Sequence, residues 1–270
     1  MSENLLVPNS TMTIIGTCAT LCFIIPIITL IAYKKNTGVK LKPFLYGLIM
    51  FLAFALGVEQ ILHAVVLAID TPVSRFLANH MLAYCIYGAV AAAVCEEFGR
   101  LIGFKLLGVK ETDKKASVMY GIGHGGAECL AVGAYSLFTT LIYATLLNSQ
   151  GYDAFVNAGG PEQASYLASL ADSIINTNPY LFFISVFERV VALVLQISLS
   201  FIVYKSVKEK ESKHFFYIAL GIHFVFDFFA ALYQVGIIKN LIVEEAVLAA
   251  MAVGVAVFAV KLFKKTEEEK

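Results

Sequence analysis

The chain has 270 residues, 59% hydrophobic and 15% charged, with acidic and basic residues in equal number and no net charge. Soluble domains run at roughly 45–50% apolar residues, so this composition points to the bilayer. The absence of net charge removes any global electrostatic case for a nucleic-acid partner.

The opening stretch MSENLLVPNS is acidic and lacks the basic region of a signal peptide. The apolar run behind it is too long for a signal core and reads as a retained span. Seven helical spans are expected: Thr11–Tyr33, Phe44–Ala68, Met81–Leu107, Val118–Leu147, Pro179–Tyr204, Phe215–Val235 and Leu241–Phe263. Each is long enough to cross ~30 Å of hydrocarbon. Backbone in lipid must satisfy its own hydrogen bonds, and the alternation of a β-barrel strand is absent. The expected fold is all-α: a polytopic membrane helix bundle forming a single integral membrane domain over residues 1–270, in the cell membrane. Five cysteines (Cys18, Cys22, Cys85, Cys95, Cys129) lie in the apolar segments without the spacing of a zinc site or disulfide framework. They read as packing residues.

Orientation follows from the lysines. Lys34, Lys35, Lys40 and Lys42 follow the first span; Lys105, Lys110, Lys114 and Lys115 surround the third-to-fourth connection. Lys205, Lys208, Lys210 and Lys213 mark the fifth-to-sixth, and Lys261, Lys264, Lys265 and Lys270 end the chain. The other side has Arg75 and Lys239. Sixteen against two predicts an N-terminus outside and a C-terminus in the cytoplasm, with residues 264–270 as a solvated tail. The longest connection, Asn148–Asn178, then lies outside. Beyond its Gly159-Gly160-Pro161 break, Tyr166, Leu167, Leu170, Ile174 and Ile175 recur at helical spacing, and a short interfacial helix tethering two spans is expected.

Four spans carry ionisable residues: Glu96, Glu97 and Arg100; His124 and Glu128; Glu188 and Arg189; His223 and Asp227. A charge near the bilayer centre costs at least ~2.5–3.5 kcal/mol, so a shared polar site is the economical explanation. Residues four apart share a helix face, which lines up Glu96 with Arg100, His124 with Glu128, and His223 with Asp227, and Arg100 is expected to pair with Glu96 or Glu97. Such a site, from the midplane to the cytoplasmic half, suits proton transfer with water. A carboxylate supplies a base, arginine a fixed cation, and histidine a donor to an oxyanion. Glu188 and Arg189 read as supporting residues, equally well as a structural clamp.

Other features read blandly. Gly121, Gly123, Gly125 and Gly126 around His124 suit close helix packing, or close approach of a substrate. Glu59 and His63 repeat the one-turn spacing on the second span without an accompanying motif. Glu244 and Glu245, near the end of the last span, read as solvated. No cofactor is needed for carboxylate chemistry. Zinc is the alternative, with His124, Glu128, His223 and Asp227 as candidate ligands, although HExxH is absent and the fourth span reads HGGAE.

CEEFGR (Cys95–Arg100), YGIGHGGAE (Tyr120–Glu128) and HFVFD (His223–Asp227), in this order on separate spans, resemble the CAAX-prenyl-protease and PrsW superfamily of intramembrane proteases. With FER (Phe187–Arg189) and the HGG turn, the chain is most similar to the bacterial YhfC branch. The resemblance covers residues 44–235. It implies an intramembrane endopeptidase in which Glu96 activates water, Glu97 stands beside it, Arg100 orients the pair, and His223 and Asp227 complete the oxyanion environment. The second motif falls on Tyr120 and His124 by the CAAX pattern, or on His124 and Glu128 by the PrsW pattern with its Phe missing. The Glu-to-Arg spacing is one residue shorter than in the CAAX enzymes. The implied partners are the lipid bilayer and a membrane-protein or lipidated-peptide substrate. A proton-coupled transporter and a non-catalytic membrane scaffold would use the same residues differently. The transporter predicts repeat symmetry, which the sequence lacks.

Overall fold

The structure, a computed structural model, describes residues 6–108 and 113–268. Lys110 and Lys270 of the basic set lie outside them. The described residues are helical and contain no strand. Seven helices are long and apolar enough to cross a membrane: Asn9–Thr37, Lys42–Ala68, Met81–Leu107, Lys114–Gln150, Pro179–Lys208, His214–Gln234 and Leu241–Lys264. All seven expected spans are present. Where the helices outrun the apolar segments, the added residues include Lys34, Lys35, Lys114, Lys115, Lys205 and Lys208. The ammonium groups of Lys114 and Lys205 lie over the rings of Phe263 and Phe215, 4.6 and 5.7 Å from their centroids.

Helix ends follow local chemistry. Thr71 and Ser74 form a reciprocal cap behind Pro72, starting the short helix Pro72–Asn79 that leads to the third span. Asn178 caps the start of the fifth span, and Asn240 accepts from the amides of Ile242 and Val243 at the start of the seventh. Gly108 and Gly151 follow the third and fourth spans with positive φ of 88° and 84°. Glu244 and Glu245 correct the solvated expectation: both are buried. They lie at the beginning of the seventh span, where the positive end of the helix dipole favours negative charge.

The chain divides into two compact units, Met1–Ile25 with Cys129–Val190, and Pro26–Glu128 with Val191–Lys270. In the first unit, Val7, Ala144, Leu147, Phe155, Ala171 and Ile174 form one cluster, and Ile15, Cys18, Ala19, Cys22 and Leu137 another. The interfacial helix expected in the long connection is Pro161–Asn176, preceded by Tyr152–Asn157. Leu167, Leu170, Ile174 and Ile175 of the expected stripe pack inward, while Tyr166 is exposed. Asn148 ties this unit's start down, its side chain exchanging hydrogen bonds with the Val7 backbone at 2.8 and 2.9 Å.

The second unit holds the polar residues. Its core runs through Phe104, Tyr120, Leu195, Leu199, Ile202, Phe216, Ala219 and Leu248. Glycine decides how closely its helices approach. A Cβ on Gly47 would lie 2.0 Å from the Tyr120 carbonyl oxygen, and one on Gly123 2.0 Å from that of Phe44. The second and fourth spans therefore meet backbone to backbone. Gly121 and Gly125 do the same for the fifth, their added Cβ atoms reaching 2.6 Å from the Ile197 Cα and 2.9 Å from the Leu193 side chain. The alternatives left by the HGG sequence resolve toward packing at these positions. The five cysteines are buried and form no disulfide.

This packing makes a graded prediction. Gly123→Ala and Gly47→Ala force backbone apart, and overpacking of this kind costs ~1–3 kcal/mol or more. At Gly221 an added Cβ meets nothing within 4 Å, so Gly221→Ala is expected to be neutral or slightly stabilising. Thermal unfolding of the three purified variants in one detergent reads the contrast. Equal melting temperatures for all three would remove the close-contact account.

Candidate functional site

Residues from four spans converge in the second unit. The third span contributes Glu96, Glu97 and Arg100, the fourth His124 and Glu128, the fifth Gln196, and the sixth His223 and Asp227. Arg100 and Glu97, both fully buried, are joined by a hydrogen-bonded ion pair one turn apart. The other guanidinium arm of Arg100 donates to Oε1 of Gln196. The Gln196 amide then donates from Nε2 to Glu128 Oε2 at 2.9 Å and to Glu96 Oε2 at 3.2 Å. One neutral side chain thus links the guanidinium to two carboxylates. Its amide orientation follows from these partners, since only the oxygen can accept from arginine.

The histidines close the network. His223 Nδ1 lies 2.7 Å from Glu97 Oε1, which leaves Nε2 directed at Asp227 Oδ2, 3.3 Å away, and Glu96 Oε2, 3.8 Å away. His124 Nε2 lies 2.9 Å from the same Glu96 oxygen, and the Phe51 ring meets the His124 imidazole edge-on with centroids 5.2 Å apart. Glu96 Oε2 is therefore addressed by two imidazoles and one amide. Glu97 is fully buried between Arg100 and His223, whereas the side chains of Glu96 and Asp227 keep exposures of 10% and 29%.

Of the sequence-derived candidates, Glu96, Glu97, Arg100, His124, Glu128, His223 and Asp227 are brought together. Arg100 binds Glu97, one of the two carboxylates expected as its partner, and it reaches Glu96 through Gln196. Tyr120, offered by one version of the second motif, stacks on Phe104 with centroids 4.3 Å apart, and its buried hydroxyl has no hydrogen-bond partner. Glu188 and Arg189 belong to the first unit, where they pair with each other. The Arg189 stem packs on Gly133, whose added Cβ would lie 2.8 Å from Arg189 Cγ, and the Cys129 thiol donates to the Arg189 carbonyl at 3.4 Å. That packing suits the clamp reading of the two.

Gln196 was missed by sequence reasoning because a neutral amide raises no charge alarm. The available signal was its place as the sole strongly polar side chain in the run VVALVLQ.

The donor set can be tested against a metal. Among the described residues, no three His, Cys, Asp or Glu side chains stand ready as a ligand shell. By type the donors fit zinc, which takes imidazole nitrogen and carboxylate oxygen. The His223–Glu97 hydrogen bond is also the outer-shell arrangement that orients a ligating histidine. His124, Glu128, His223 and Asp227 are the residues whose types would hold the ion, and no three of them form such a shell in this structure.

These features define a polytopic helical membrane protein with a carboxylate, imidazole and guanidinium site built within its spans. The chain belongs to the YhfC intramembrane metalloprotease family, whose model matches residues 21–248. It is similar to "Uncharacterized membrane protein YhfC" of Bacillus subtilis (strain 168), at 29% identity over 232 residues, covering 86% of this chain and 88% of that protein. No solved structure matches it.

The clamp makes an asymmetric prediction. Arg100→Leu strands Glu97 in a buried site, and removing one partner of a buried pair costs ~3–5 kcal/mol. Arg100→Leu combined with Glu97→Leu removes both charges and is expected to recover part of that loss. Chemical denaturation in mixed micelles compares them. A double variant at least as unstable as the sum of the two singles would show that the pair is not the unit described.

Proposed function

We propose that this protein is an intramembrane endopeptidase that hydrolyses a peptide bond in a membrane-embedded or lipidated substrate, with Glu96 as the base for the attacking water. The single observation that carries the reading is Glu96 Oε2 standing between His124 Nε2 and His223 Nε2, at 2.9 and 3.8 Å, inside the apolar spans. The family's description as intramembrane metalloproteases supports it.

Each residue has a separable task. Water beside Glu96 passes a proton to the carboxylate as its oxygen attacks the carbonyl carbon, and Glu96 returns that proton to the leaving amine. His124 and His223 can donate from Nε2 to the oxyanion that forms. Glu97 binds the Nδ1 side of His223 and so holds its ring with Nε2 toward the reacting groups. Arg100 holds Glu97, and Gln196 carries that constraint to Glu96 and Glu128. Asp227 supports His223 from the accessible side. Zinc, if held among His124, Glu128, His223 and Asp227, would supply Lewis-acid polarisation of the carbonyl and a more acidic water.

Glu96→Gln tests the assignment. The amide is nearly isosteric and cannot take the proton, so peptide cleavage is expected to fall by ~10²–10⁴ while the protein stays folded. Cleavage of a membrane-peptide library by purified wild type and variant, with size-exclusion profiles as the folding control, measures it. Wild-type cleavage by Glu96→Gln would overturn the role given to Glu96. A chelator arm on the wild-type protein reports the metal separately: activity lost on chelation and restored by zinc assigns the ion a part in the reaction.

A further inference from the structure

The second span carries ionisable residues that the proposed reaction leaves unused. His63 Nε2 lies 3.2 Å from Glu59 Oε1, one turn earlier on the same helix. The sequence offers this pair no partner motif, but the fold does. Tyr87 of the third span places its hydroxyl 3.0 Å from His63 Nδ1 and 3.5 Å from the Leu62 carbonyl oxygen. The two rings meet edge-on, with centroids 5.5 Å apart. Both imidazole nitrogens are engaged, and a polar file crosses from one span to the next.

The backbone at this file is unusual. Two π-helical segments, Phe54–Val58 and Ala64–Ala68, bracket Glu59 and His63. Such turns are rare and occur often at functional positions. The Gln60 side chain donates to the Ala55 carbonyl at 3.4 Å, so side chains engage the carbonyls of both Ala55 and Leu62.

Depth orders these groups. The second and third spans are joined through residues 69–80, so their Ala68 and Met81 ends share one end of the unit. At a rise of 1.5 Å per residue, His63 and Tyr87 lie ~8–9 Å from that end, Glu59 ~14 Å and Glu96 ~22 Å. Exposure falls in the same order, with the His63 side chain 25% exposed, Glu59 12% and Glu96 10%. Glu59 is within electrostatic range of Glu96, Asp227 and His223.

We propose that Tyr87, His63 and Glu59 form a water inlet, leading from the end of the unit near residues 69–80 to the Glu96 site. Water in a protein interior is held by two to four polar partners. Beyond the bonds they already make, the Tyr87 hydroxyl, the Glu59 carboxylate and the Leu62 carbonyl keep lone pairs, and these provide such partners along the file. Hydrolysis consumes one water for each bond cleaved, and the apolar spans supply none. The inlet rests on the endopeptidase reading only for the use to which the water is put.

Carboxyl labelling tests it without reference to activity. The protein in lipid nanodiscs is treated with a water-soluble carbodiimide and glycine ethyl ester, and modification of Glu59 is followed by mass spectrometry. The wild type is expected to be labelled at Glu59. His63→Phe, an apolar plug, is expected to slow that labelling about ten-fold, and His63→Gln, which stays polar, to leave it within about two-fold. Tyr87→Phe deletes only the hydroxyl and serves if the plug variant fails to fold; a slowing of about three-fold is expected. An unlabelled Glu59 in the wild type, or equal labelling in the wild type and in every folded variant, overturns the inlet. Peptide cleavage measured on the same samples separates the two ideas. Labelling as expected without any wild-type cleavage keeps the inlet and removes the endopeptidase. Cleavage with Glu59 unlabelled keeps the endopeptidase and removes the inlet.

Discussion

The buried Glu97–Arg100 pair is the constraint on which the site depends. A guanidinium cannot shed its charge, and within a span it must find compensation or leave the hydrocarbon. Arg100 finds it in Glu97 on its own helix and in Gln196 on the fifth span. The pair recruits the sixth span as well, because the same Glu97 oxygen binds His223. A buried ion pair is poor evidence for stability by itself, since desolvation opposes the Coulomb gain. Its consequence here is geometric. Three spans are fixed in register by groups that none of them can leave unpaired.

The same logic separates two adjacent glutamates into different tasks. Glu97 and Glu96 point about 100° apart on an ideal helix, which leaves Glu97 inside the clamp and turns Glu96 toward the reachable side. Glu96 then meets His124 of the fourth span, which Gly123 lets close on the second span and Gly121 and Gly125 on the fifth. These glycines set how closely the helix that carries His124 sits on its neighbours. Packing and chemistry are therefore coupled, and a methyl group added to Gly123 acts on the site through the backbone.

Much of this was legible in the sequence, for identifiable reasons. Lipid demands long apolar runs, so the spans stand out by length, and Met81–Leu107 was placed residue for residue. Charge inside lipid is costly, so Glu96, Arg100, His124, His223 and Asp227 announce themselves. What stayed hidden depends on neighbours in space. Gln196 carries no charge, and its role appears only when Arg100 and two carboxylates surround it. The sequence left Arg100 a choice of Glu96 or Glu97, and the fold decides it, because His124 of the fourth span lies against Glu96. His63 looked partnerless because Tyr87, an ordinary aromatic in sequence, becomes its neighbour only through the pairing of the second and third spans. Glu244 and Glu245 sit at a helix start, where terminal position suggested solvent and the fold buries them.

The central claim is that Glu96 acts on water as a base and is never itself the nucleophile. A single turnover in water enriched in ¹⁸O, with enzyme in excess over a cleavable membrane peptide, separates the two. Direct attack by water places one ¹⁸O in the new carboxyl terminus of the product and none in the Glu96 side chain. Recovery of ¹⁸O in Glu96 after that turnover would mean an acyl intermediate on the carboxylate, and would contradict the account.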